Sequence, residues 1–156
     1  MRAPRLVQHM KANADRMSEG LVEKIRGADR CRELLLRVPI PDHKQRALGI
    51  YRDLTDWLAG ETTPVIEFRY SDLGIELANQ GVPFSNVFWA VCIAREYLWE
   101  YMQQECLLEE PVEFWGGVML LHSLNQFFDR VLYFTMAGYQ KADKNEFAAP
   151  MALAHR

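Results

Sequence analysis

The chain has 156 residues, of which 49% are hydrophobic and 25% charged, with 9 Gly, 7 Pro and a net charge of −3. This balance is ordinary for one globular domain and excludes disordered, collagen-like and low-complexity classes. It gives no electrostatic basis for nucleic acid as a main partner. The charge is unevenly placed: residues 1 to 46 carry 11 Lys and Arg against 6 Asp and Glu, net +5, leaving 7 against 15, net −8, for residues 47 to 156. Complementary packing of a basic first helix on an acidic bundle accounts for the split, and a partner surface is the alternative.

The apolar spacing is helical almost throughout. Leu6, Met10, Ala14, Met17, Leu21 and Ile25 recur at steps of four and three, predicting a first helix of about 22 residues that ends near Gly27. Cys31, Leu34, Leu35 and Val38 predict a short helical segment before Pro39 and Pro41. Asp42 and Gln45 have capping-box spacing, so a second helix is expected from there to about Ala59, with Leu48, Tyr51, Leu54 and Leu58 inward and Gly60 past its end.

Thr63 and Pro64 open a third helix, whose buried stripe is Ile66, Tyr70, Leu73 and Leu77, and Gly81 supplies a left-handed cap. A fourth helix, over about 84 to 109, carries one stripe of Phe84, Val87, Phe88, Val91, Arg95, Leu98 and Met102 and a second of Trp89, Ile93 and Tyr97. Such a helix is central in its bundle or covered by a partner chain. Pro111 is expected to open a last helix to about residue 143, with Phe114, Gly117, Leu121, Leu124, Phe128, Val131, Thr135 and Gly138 inward. Gly116 and Gly117 suggest close helix approach there. No strand alternation occurs. The expected fold is all-α, an antiparallel bundle of about five helices forming one domain over 1–144, with a disordered tail over 145–156.

The motif searches are mostly negative. Di-iron carboxylate bundles need Glu three residues before His, but the positions preceding His9, His43, His122 and His155 hold Leu6, Ile40, Met119 and Ala152. His122 is the one histidine well inside a long helix, and it aligns with Val118, Asn125 and Asp129 on a polar face, so no haem, other cofactor or metal is expected. No GxSxG, P-loop or GxGxxG arrangement occurs, and no catalytic residue stands out, so an enzyme is not expected. The neighbouring Glu109 and Glu110 read as a solvated pair at a helix junction.

Cys31, Cys92 and Cys106 are an odd set without CxxC spacing. Within one helix Cys92 and Cys106 would stand about 21 Å apart, beyond disulfide reach. A reducing, cytoplasmic setting follows. The N-terminus lacks the apolar core of a signal peptide, and the longest uncharged run, Phe114 to Phe128, is 15 residues and includes His122, so membrane insertion is not expected. Two features point toward function. Trp89, Tyr97 and Phe128 are candidates for lining an inter-helix ligand pocket, while Arg95 and Asp129 are candidates for a buried ion pair, with Arg130 and Glu96 as alternative partners.

Several runs taken in order resemble a known family. They are Tyr51-Arg52-Asp53-Leu54 with Trp57-Leu58, Arg69-Tyr70-Ser71-Asp72-Leu73-Gly74, Gln80-Gly81-Val82-Pro83-Phe84-Ser85, Arg95-Glu96-Tyr97-Leu98-Trp99-Glu100, and Phe127-Phe128-Asp129-Arg130 with Ala137-Gly138-Tyr139. Together they are similar to the RsbRD-type N-terminal sensor domain, which precedes output modules in stressosome co-antagonist proteins and in many bacterial sensor kinases. The resemblance implies a cytoplasmic, non-enzymatic helical input module that often acts as a homodimer and signals through its last helix. It also offers a globin-related arrangement without haem as the alternative to a plain bundle. No kinase, phosphorelay or antagonist module follows Tyr139, so a stand-alone regulator of a separate signalling protein is expected. The alternative function is a small-ligand sensor.

Overall fold

The computed structural model describes residues 3–60, 63–105 and 114–154, and side-chain surroundings for 5–60, 64–105 and 118–143. Seven α-helices occur among these residues: α1 (Ala3–Ala12), α2 (Ala14–Arg26), α3 (Arg32–Arg37), α4 (Ile40–Leu58), α5 (Thr63–Asn79), α6 (Phe84–Gln104) and α7 (Phe114–Ala154). A 3₁₀ turn, Asp29–Cys31, leads into α3. The fold is all-α.

The expected first helix is broken once. At Asn13 the side-chain amide donates to the His9 carbonyl at 2.8 Å, competing with the ladder, and the chain kinks between α1 and α2. Its inward stripe survives the kink, with Leu6, Met10, Met17 and Leu21 all buried. The capping box at Asp42 is not used: α4 starts two residues earlier, after Pro39, with no side-chain cap. Pro41 falls within the first turn, where its missing N–H would have no helical acceptor, so this proline helps to start a helix that sequence alone placed after it. Gly60 and Gly81 have φ of 85° and 73°, the left-handed conformation expected just past α4 and α5.

α3 has no local cap, and its first-turn amides are satisfied from another element. The Asn86 side-chain oxygen on α6 accepts the Glu33 and Leu34 N–H groups at 3.0 and 3.3 Å. This tertiary cap stands in for the local one that α3 lacks.

Neighbouring helices run antiparallel. Asp53 meets Arg69 and Tyr70 while Arg46 meets Glu76, setting α4 against α5 in reverse register. The α1–α3 stretch descends along α6, with His9 at Tyr101 and Cys31 at Asn86. The tightest contact joins α5 and α7. A Cβ at Gly74 would overlap the Thr135 carbonyl oxygen, and one at Gly138 would overlap the Ser71 carbonyl oxygen, so the helices meet backbone to backbone.

The core is centred on Phe127 and Phe128, whose rings meet edge to face at 5.2 Å. On α6, Val87, Ala94, Leu98, Tyr101 and Met102 are buried, whereas Phe88 of the expected stripe is exposed. The backbone of α7 continues as helix to Ala154, through residues for which a disordered tail was expected. Pro111, Cys106, Glu109 and Glu110 lie outside the described residues, as do the surroundings of Gly116 and Gly117.

Candidate functional site

The three aromatic candidates are not brought together. Trp89 lies near the start of α6, half-buried at the wall of a surface groove, with the Arg30 guanidinium stacked 4.3 Å over its ring. Tyr97 is two turns further along α6, about 12 Å away. It lies against Gly20 of α2, where a Cβ would overlap its hydroxyl. Phe128 is fully buried in the core. They form no common pocket, because two lie on a half-buried α6 face and the third fills the centre.

Arg95 and Asp129 do approach, at 3.7 Å, but Asp129 is 70% exposed. The pair is therefore a surface contact between α6 and α7, not a buried one, and pairs of this kind stabilise by at most about 1 kcal/mol. Arg130 instead stacks over Trp57 at 5.2 Å. His122 is exposed on the polar face of α7.

A cavity of about 100 Å³ lies elsewhere, lined by residues from each of the six helices α2, α3, α4, α5, α6 and α7. Leu21, Leu35, Ile50, Leu73, Val91 and Val131 give it an almost wholly apolar lining. Its polar edge comes from α4, where His43 and Arg46, one turn apart, share a face with Ala47 and Ile50. The His43 imidazole lies 3.1 Å from the Val38 carbonyl through Nε2. Burial, reinforced by the nearby Arg46 charge, lowers its pKa, so it is neutral at pH 7. Arg46 Nη2 lies 3.4 Å from Glu76, while Nη1 is buried without a hydrogen-bond partner among the described residues. Arg46 also borders a surface groove between α4 and α5, so it stands where the interior meets the outside.

Beside that groove is a buried polar node. Asp53, only 3% exposed, accepts hydrogen bonds from the Arg69 guanidinium and from the Tyr70 hydroxyl, the latter at 2.8 Å. Periodicity gave no sign of it, because an acidic residue after Arg52 reads as solvated. We expect Asp53→Ala to destabilise the domain by about 2–3 kcal/mol, mainly by stranding the buried Tyr70 hydroxyl, since the half-exposed Arg69 can turn to water. Urea denaturation measures this, and an unchanged midpoint would show that the node contributes nothing.

The charge asymmetry is resolved in part within the molecule. Arg16 and Lys24 of the basic segment reach Glu105, just past the end of α6, and Glu100 of α6 at 3.0 and 3.3 Å, and Arg46 reaches Glu76 of α5. His9 joins the first of these clusters, with Nδ1 2.9 Å from the Tyr101 hydroxyl.

Among the described residues no cluster of three or more His, Cys, Asp or Glu could hold a metal ion, and no helix is long and apolar enough to cross a membrane. Burial pushes the Cys31 thiol up to about 11, which keeps it protonated and unreactive. The described side chains thus offer a packed bundle, one apolar cavity with a cationic edge, and a backbone-tight pair of helices. No curated protein and no solved structure gives a significant match. The family model described as the RsbT co-antagonist protein rsbRD N-terminal domain matches residues 13–148, a span from α2 into the last part of α7 that contains every run of the resemblance. On that match the chain belongs to the rsbRD N-terminal domain family, a family of signalling regulatory domains.

Proposed function

We propose that this domain is a non-enzymatic input module that acts on a separate signalling protein in the cytoplasm by changing helix packing, and that it works as a homodimer. The observation that carries this reading is the α5–α7 contact. Because Gly74 and Gly138 bring the two backbones together, a displacement of α5 would carry α7 with it. α7 has 41 residues, roughly 60 Å of helix at about 1.5 Å per residue. A shift on the cavity side of α5 is thereby transmitted along a helix longer than the bundle needs.

The same pair of helices supplies the self-association surface. Phe68 on α5 is 71% exposed and Tyr133 on α7 is 60% exposed, large apolar groups that a second copy would cover. Light scattering is expected to give twice the monomer mass, and Phe68→Asp with Tyr133→Asp is expected to halve it while the helical circular dichroism is retained. A strict monomer at high protein concentration would overturn the dimer. The second reading, small-ligand sensing, is favoured by the cavity, although not by the residues first expected to line it.

A further inference from the structure

The geometry points to the cavity lined by α2 through α7 as a binding site for a small aliphatic carboxylate, its hydrocarbon body among the core side chains and its carboxylate on the Arg46 guanidinium at the cavity edge. This inference rests on the ligand-sensing reading and adds the anchor and the ligand class.

Three observations converge on it. First, the lining is almost wholly apolar, and a dry apolar cavity of about 150 Å³ is large enough to take a benzene-sized guest. A space of about 100 Å³ therefore suits a body of four or five carbons. Second, the buried Nη1 donor has no acceptor among the described residues, although Nη2 of the same guanidinium has Glu76. Leaving such a donor unmatched is unfavourable, and a guest oxygen toward which the guanidinium turns Nη1 offsets that cost. An anionic oxygen gives the stronger, charge-assisted bond. Third, Arg46 borders both the cavity and the α4–α5 groove, so a carboxylate held there need not be fully desolvated while its tail enters the core.

The other polar groups at the cavity do not compete for this role. The Thr135 hydroxyl bonds the Val131 carbonyl at 2.6 Å, and the Tyr70 hydroxyl bonds Asp53. Neutral His43 adds no second charge. A guest would touch Leu73 on α5 and Val131 on α7, the two helices fused at Gly74 and Gly138, so occupancy is coupled to the position of the last helix.

The test is a thermal-shift and calorimetric titration of the whole chain with valerate and with 1-pentanol, its neutral counterpart. A guest that binds only the folded state raises the melting temperature in a concentration-dependent way. For so small a molecule a dissociation constant of about 1 mM is expected. Valerate is expected to bind about tenfold more tightly than 1-pentanol, and Arg46→Met, which keeps the apolar stem and removes the donors, is expected to erase that difference. Ala47→Leu and Ala90→Leu, which fill the cavity from α4 and α6, are each expected to abolish binding of both compounds, so one correctly folded variant suffices. Equal binding of the two compounds that is indifferent to Arg46→Met would overturn the carboxylate assignment and leave ligand sensing standing. Binding that survives in a folded cavity-filled variant would overturn the location, and no binding of either compound would overturn both.

Discussion

Gly138→Ala is expected to destabilise the domain by about 3 kcal/mol, at the upper end of what overpacking usually costs. The sign is the informative part. In a helix with free space, Gly→Ala stabilises by about 0.5–1 kcal/mol, because alanine loses less backbone entropy on folding. Gly49, mid-helix in α4, is such a site, since a Cβ there would meet only an Arg52 nitrogen at 3.8 Å, and Gly49→Ala is expected to raise stability by that amount. At Gly138 the new methyl meets the Ser71 carbonyl, which belongs to the backbone of α5 and cannot rotate away. Gly74→Ala meets the Thr135 carbonyl in the same manner. Chemical denaturation of the three single variants provides the check: a midpoint for Gly138→Ala that rises along with Gly49→Ala would mean that α5 and α7 do not touch at their backbones. The proposed transmission through α7 would lose its basis with it.

Phe128→Ala is expected to cost about 3–5 kcal/mol, enough to bring a domain of ordinary stability near to unfolding. Phe128 is fully buried, and its edge-to-face contact with Phe127 joins a chain of rings that continues to Trp57, 6.3 Å from Phe127. Trp89→Ala is expected to lose only about 1 kcal/mol, since the ring is half-buried and its stacking on Arg30 lies beside an open groove. Denaturation curves for the two variants distinguish a structural aromatic from a peripheral one. Similar small losses in both would mean that Phe128 is not the core residue its burial indicates.

Much of the architecture is legible in the sequence. The stripes Leu6 to Ile25 and Ile66 to Leu77 report the helical period directly, because each inward position needs an apolar side chain. Gly60 and Gly81 marked helix ends because few other residues adopt positive φ at no cost. Other features depended on distant residues. Asn13 breaks the first helix through its own side chain, which an unbroken apolar stripe conceals. The start of α3 is capped from α6 by Asn86, fifty-odd positions away, so no local motif announces it.

By itself the sequence determined that the chain is helical, which helix faces turn inward, and which family it belongs to, since all three follow from local spacing and the order of short motifs. Tertiary structure decided which residues share a site. Trp89, Tyr97 and Phe128 lie on suitable faces but at different depths, whereas Arg46, read from sequence as one charge in a basic segment, stands at the edge of the cavity. Periodicity specifies the direction of a side chain around one helix; a site depends on how six helices cross, and that is set by steric contacts such as Gly74 on Thr135, between residues distant in the chain.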